Sequence, residues 1–173
     1  NKNIDKFLKV NDLNPTEVIT RNLIRDRDTK KFKIKVLSKI IENNEGEFIL
    51  IGDDTQEDQS IFKAIKEKYS QRLKAIYIHQ VKNEKPLAGF HGFYSALDIV
   101  KEEYKNGRMN LSEAYFLAKK FLLARDLSTA FPDFSYCPKT QEEFNQNYPF
   151  ELKAYIKPIE LKVESFCRKR SSF

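Results

Sequence analysis

The chain has 173 residues, a formal net charge of +6 and a pI near 9.2. Hydrophobic residues at 40% against 32% charged exclude a disordered chain, no apolar run reaches membrane-spanning length, and the opening "NKNIDKFLKV" does not resemble a signal peptide. The positive charge admits an anionic partner, whether lipid surface, nucleic acid or phosphorylated substrate, without selecting among them.

In chain order, "NIDKFLKVNDLNP" reads as a helix end closed by an Asn-Pro turn. "EVITRNLIRD" is short and β-branched, which predicts a strand. "KKFKIKVLSKIIENN" sets Ile34, Leu37, Ile40 and Ile41 at helical spacing, with lysines on the opposite side. "EFILIGD" is a nearly continuous apolar run, as expected of a parallel strand covered on both faces. "DQSIFKAIKEKYSQ" returns to helical spacing at Ile61, Phe62, Ile65 and Tyr69, and "LKAIYIHQV" is a second buried strand. Strands alternating with helices predict a parallel α/β sheet with right-handed crossovers. After Val81 the pattern becomes helical, over about 90 to 105 and 111 to 125, the second with Asn110 as cap and Glu113 three residues on. "DLSTAFPDFSYCPKTQ" is irregular, and a last helix over about 151 to 168 carries Leu152, Tyr155, Ile156, Ile159, Val163 and Phe166 on one face, with Pro158 kinking or delaying it. Cys137 and Cys167 form no metal-ligand spacing and read as free thiols in a reducing compartment.

The densest chemistry follows "FILIG". Asp53, Asp54, Glu57 and Asp58 crowd within six positions, at the carboxyl end of a strand where parallel sheets place their ligands. Such crowding calls for a cation, and oxygen-only ligands suit a hard ion such as Mg²⁺. The competing reading of Asp54, Glu57 and Asp58 is that they favour the N-terminus of the next helix. "DRDT", with Asp26 and Asp28, superficially matches a phosphatase nucleophile motif, but Thr29 comes one place early and the segment reads as a surface turn. His79 and His91 have no second ligand at useful spacing, and Phe90, Phe93 and Tyr94 read as core rather than as a lipid pocket. The basic tail "CRKRSSF" could touch anionic lipid.

Gly52-Asp53-Asp54-Thr55-Gln56-Glu57-Asp58-Gln59-Ser60-Ile61-Phe62, followed by Ala75-Ile76-Tyr77-Ile78-His79, resembles the catalytic domain of the actin-patch type of phosphatidate phosphatases and their bacterial relatives. These are haloacid dehalogenase (HAD)-like enzymes and distant kin of lipins. Their pattern reads Gly-Asp-Ser-Gly-Gln-x-Asp-Pro-Glu-Ile-Tyr, a helix, then Ala-Ile-Tyr-Ile-Arg. "NLIRD" is similar to the family's Leu-Arg-Asp strand, and "KKFKIKVL" to its His-Lys-x-x-x-Ile helix, with the Lys falling on Lys33. The likeness covers roughly residues 3 to 81. Asp54 and Thr55 depart from the family's Ser and Gly.

The resemblance implies a partial HAD-like, Rossmannoid parallel sheet with helices on both faces over residues 1–85, and a helical extension over 86–173. It implies a Mg²⁺-dependent phosphatase with an aspartyl-phosphate intermediate, in which Asp53 and Asp58 are metal-side acids and Lys33 and Asp53 serve catalysis; Asp54 is a further candidate ligand from the crowding of acids alone. The substrate would be a phosphomonoester, phosphatidate at a membrane surface among them, and the location cytoplasmic or peripheral to membranes. The family's Asp-x-Asp-x-Thr strand is not found in these residues, so the expectation is that the first half of the core is supplied in cis or in trans, and that this chain alone is inactive. No nucleic acid is expected. The alternative is an inactive half-domain that binds a protein or an anionic membrane. A receiver-like domain fits less well, for want of its separate acidic pair and its late lysine.

Overall fold

The computed structural model describes residues 6, 8–9, 14–22, 26–138 and 152–170. The helix end expected at "NIDKFLKVNDLNP" falls largely outside these. Helix α1, Thr29–Asn43, starts where Asp28 accepts a hydrogen bond from the Lys31 amide at 3.0 Å. Strand β1, Phe48–Asp53, leads to α2, Asp58–Tyr69, and a short 3-10 turn leads to β2, Leu73–His79. Both helices lie where the apolar spacing predicts them. Ile41 of α1 and Ile61, Phe62 and Ile65 of α2 bury against Leu50, Ile76 and Ile78 of the strands.

The sheet has the order β1-β2-β3, and both pairings are parallel. Its third strand, β3 at His91–Phe93, occupies the start of the helix expected from about residue 90, and that helix begins only at Ala96. Three residues are too few for periodicity to register. Because β3 hydrogen-bonds to β2, the sheet runs on beyond residue 85. On the face opposite α1 and α2 lies α3, Ala96–Lys105, tied down by the Tyr77 hydroxyl, which donates to Glu103. The expected parallel α/β layer with helices on both faces is therefore present.

The predicted strand at "EVITRNLIRD" does not form over residues 17–22, which are irregular, while 23–25 lie outside the described residues. β-branched composition favours a strand only when there is a pleated surface to pair with. The expectation that β1 is covered on both faces also needs correction. Leu50 is buried, but Ile49 and Ile51 on the opposite face are 44% and 59% exposed.

Beyond the sheet, α4 (Leu111–Leu123) begins with the expected capping box of Asn110 and Glu113. Helix α5, Lys153–Arg170, runs through Pro158 and buries Ile156, Ile159 and Val163. The segment between α4 and α5 is irregular through residue 138, as read from sequence. Cys137 at its end is disulfide-bonded to Cys167 of α5, with Cα atoms 5.6 Å apart, so the two are not free thiols. Their separation of 30 residues hid the pairing: the irregular segment folds back onto α5, where both cysteines join one core cluster with Leu127 and Phe131.

Candidate functional site at the end of β1

Strand β1 opens at its carboxyl end onto Asp53, and α1 brings Lys33 to the same place. The Lys33 ammonium lies 2.6 Å from Asp58 Oδ1. Asp58 Oδ2 accepts from the backbone amide of Asp53 at 3.3 Å. One carboxylate therefore joins the strand end to α1, and it does so from the first residue of α2, where a negative charge also favours the helix terminus. Asp58 thus stands in the first turn of α2 while its carboxylate is taken up by Lys33 and the Asp53 amide.

Gly52 makes the approach possible. A Cβ there would meet Asp58 Oδ2 at 2.6 Å and the Phe62 ring at 2.8 Å. Asp53 turns its own Oδ1 back to Thr55, accepting from the Thr55 amide at 2.8 Å and from the Thr55 hydroxyl. Thr55 was not singled out from sequence, yet it fixes the Asp53 rotamer.

Asp54 points elsewhere. It is 2% exposed, and its carboxylate accepts three backbone hydrogen bonds from the segment after β2. Oδ1 accepts from Val81 at 2.9 Å and Lys82 at 2.8 Å, and Oδ2 from Glu84 at 2.9 Å. Of the three acids expected at a metal, Asp53 alone keeps a carboxylate oxygen without a hydrogen-bond partner among the described residues. No three histidine, cysteine or acidic side chains converge on one point among those residues.

The other candidates find ordinary places. Asp28 caps α1, and its carboxyl is held below the usual carboxylate range, chiefly by the Lys31 amide. Asp26 folds back onto the Asn22 amide at 3.2 Å. "DRDT" is accordingly a turn and a helix start. His79 ends β2 and stacks on Phe93, with ring centroids 5.0 Å apart. Phe90 joins the core under α2. In the basic tail, Arg168 pairs with Glu164, while the Arg170 guanidinium donates to the carbonyls of Phe131, Asp133 and Ser135. Those two arginines serve the fold, and residues 171–173 lie outside the described residues.

Along the outer edge of β1 runs a groove of about 530 Å³, lined by Ile19, Phe32, Val36, Ile49 and Ile51 and ending at Lys33 and Asp58. Among the described residues β1 pairs only with β2. No described helix is long and apolar enough to cross a membrane.

A parallel α/β layer, with acids at the carboxyl end of a strand and a lysine brought from the preceding helix, defines the class: a Rossmann-like layer with a charged site in its customary position. Within that class, residues 2–80 match a named family, the catalytic domain of the phosphatidate phosphatase APP1. The match ends one residue after β2, so it contains α1, β1, α2, β2, Lys33, Asp53, Asp54 and Asp58. No curated protein and no solved structure matches significantly.

Proposed function

We propose that residues 2–80 form half of the active site of a Mg²⁺-dependent, HAD-like phosphatase of the phosphatidate type. The observation that supports this most is the coincidence of the family match with the junction of Lys33, Asp58 and Asp53 at one strand end. Lysine and carboxylate there suit a phosphoryl group. The lysine screens charge on the transferring oxygens, and the fixed acid keeps the lysine in place before the reaction begins. Asp53 fits a hard cation: it is a carboxylate with one oxygen tied down and one without a partner among the described residues. Mg²⁺ is commonly held by one or two carboxylates, together with waters and substrate phosphate. When bound, it would supply charge neutralisation at the phosphoryl oxygens. In this reading Asp58 is the positioning partner of Lys33 rather than a ligand in its own right.

The nucleophile in this proposal is an aspartate on a further strand, in cis or in trans, that pairs with the open edge of β1. Its carboxylate attacks phosphorus, the bond to the leaving alcohol's oxygen breaks, and water later hydrolyses the acyl phosphate to release phosphate. The exposed Ile49 and Ile51, and the apolar groove that ends at Lys33, support a strand docking there. Natural sheets rarely leave such an edge bare. Purified residues 1–173 should then release no phosphate from phosphatidate, with or without Mg²⁺. Steady Mg²⁺-dependent release by this chain alone would overturn the proposal of an external nucleophile.

A further inference from the structure

The segment that follows β2 is tied to the site more firmly than a connecting loop requires. Asp54, buried, accepts the amides of Val81, Lys82 and Glu84. Asn83 between them adopts a left-handed conformation with φ 61°, and the Tyr94 hydroxyl lies 3.2 Å from its Oδ1. Gln80, also buried, donates its backbone N–H to the Phe93 carbonyl at 2.8 Å and its side-chain amide to the Ile78 carbonyl at 3.3 Å. The result is to carry the Lys82 ammonium to 3.2 Å from the Thr55 carbonyl, on the residue that holds Asp53.

We infer that Lys82 is a second phosphate-binding cation of the site, and that Asp54 is the positioning residue that holds it there. The inference rests on the phosphatase reading above. Two cations reach residues that hold Asp53, Lys33 through Asp58 and Lys82 through Thr55, and they differ in what they can offer. Lys33 is held by its ion pair with Asp58, which offsets part of its charge and leaves room for a second cation beside a phosphomonoester dianion. Lys82 hydrogen-bonds to a neutral carbonyl and makes no ion pair among the described residues, so its ammonium is not committed to a carboxylate. A lysine has several rotatable bonds, and on a loose loop it would lose much entropy on binding. The Asp54 clamp removes the backbone share of that cost in advance.

The clamp needs a carboxylate. A hydroxyl oxygen offers two lone pairs, whereas a carboxylate offers about four across two oxygens. Three amides spread over four residues can be satisfied by Asp54 and not by the Ser that the resembled pattern carries at this position.

Inorganic phosphate titrated into the ¹⁵N-labelled 173-residue chain tests this, together with amide hydrogen exchange. In the wild type, phosphate should shift the amides of Asp53 and Thr55. Lys82→Met should weaken that binding about tenfold, the loss of one useful charge contact, and leave exchange at Val81, Lys82 and Glu84 unchanged. Asp54→Ser should speed exchange at those three amides and weaken phosphate to a similar degree. The double variant should be no weaker than Asp54→Ser alone, because a displaced lysine has nothing left to lose. Wild-type binding retained in Lys82→Met would overturn the inference and leave the phosphatase reading standing. Fully additive losses in the double variant would overturn the positioning role. A wild type in which phosphate shifts neither Asp53 nor Thr55 would overturn both the inference and the reading beneath it.

Discussion

Gly52 shows how much of the site depends on an atom that is missing. Its α-carbon lets the Asp58 carboxylate reach the Asp53 amide, and any side chain would push that carboxylate off Lys33. Gly52→Ala should cost about 1–3 kcal/mol, as overpacking does, and should lower turnover in the protein carrying the nucleophile strand. Thermal melts and a phosphate-release assay check both effects; unchanged values would mean that α2 shifts freely. Glu57→Gln should do little, since Glu57 is exposed and makes no side-chain cap to α2.

Glu103 is a residue of another kind, buried beneath the sheet and shared by Tyr77 and Arg108. The Arg108 guanidinium, first of all, holds its carboxyl below the ordinary 4.5. In the unfolded chain that carboxyl takes up a proton near 4.5, while the folded chain resists until lower pH. Between those values the unfolded state binds more protons, so stability falls as pH falls; above them the contribution is complete. Burial raises the Tyr77 phenol above its ordinary 10.0, so its contribution is full below pH 10 and is lost as pH rises through the higher folded value. Glu103→Gln should flatten the acid limb of a melting-temperature profile, and Tyr77→Phe the alkaline limb. A Glu103→Gln profile that parallels the wild type below pH 4.5 would contradict this.

At the scale of elements, the disulfide and the strand edge carry the main expectations. Cys137–Cys167 closes a loop across a sequence separation of 30. On a chain-entropy estimate it stabilises by about 3–4 kcal/mol. Cys167→Ser should therefore lower the melting temperature by roughly 10 °C, and reductant should do the same to the wild type but nothing further to the variant. Equal melting of all samples would show that α5 is held by packing alone. The elements legible in sequence were those with a period long enough to count. Ile34, Leu37 and Ile41 gave α1, and Ile61, Phe62 and Ile65 gave α2. Asn110 and Glu113 marked the start of α4. What could not be read was contact between distant residues. Nothing in "HGF" signals a strand until β2 lies beside it, and nothing about Cys137 points to Cys167 until the chain folds back. The site divided in the same way. Asp53, Asp58 and Lys33 stood out by motif and do meet. Asp54, a candidate only through the crowding of acids, instead faces the loop, because a run of acids in sequence does not reveal which way each side chain turns.

For the whole molecule, the sheet links the matched segment to the rest of the chain through β3 and α3, so residues beyond 80 are packed onto the layer rather than strung after it. The opposite edge, at β1, remains open among the described residues and borders an apolar groove. Among the described residues β1 and β3 are both edge strands, and Lys33 and Asp53 stand at the end of the one that borders the groove. If a phosphatase site is completed there, its charge must depend on Asp53. The direct measurement is Mg²⁺-dependent phosphate release from phosphatidate by the protein carrying the nucleophile strand, comparing wild type with Asp53→Asn, alongside melting curves of both with and without Mg²⁺. The expected result is turnover in the wild type and none in the variant, with the variant melting at the same temperature or slightly higher without metal and gaining nothing from Mg²⁺. Near-normal turnover by Asp53→Asn would contradict the assignment and leave the acids after β1 as anchors of a helix and a loop.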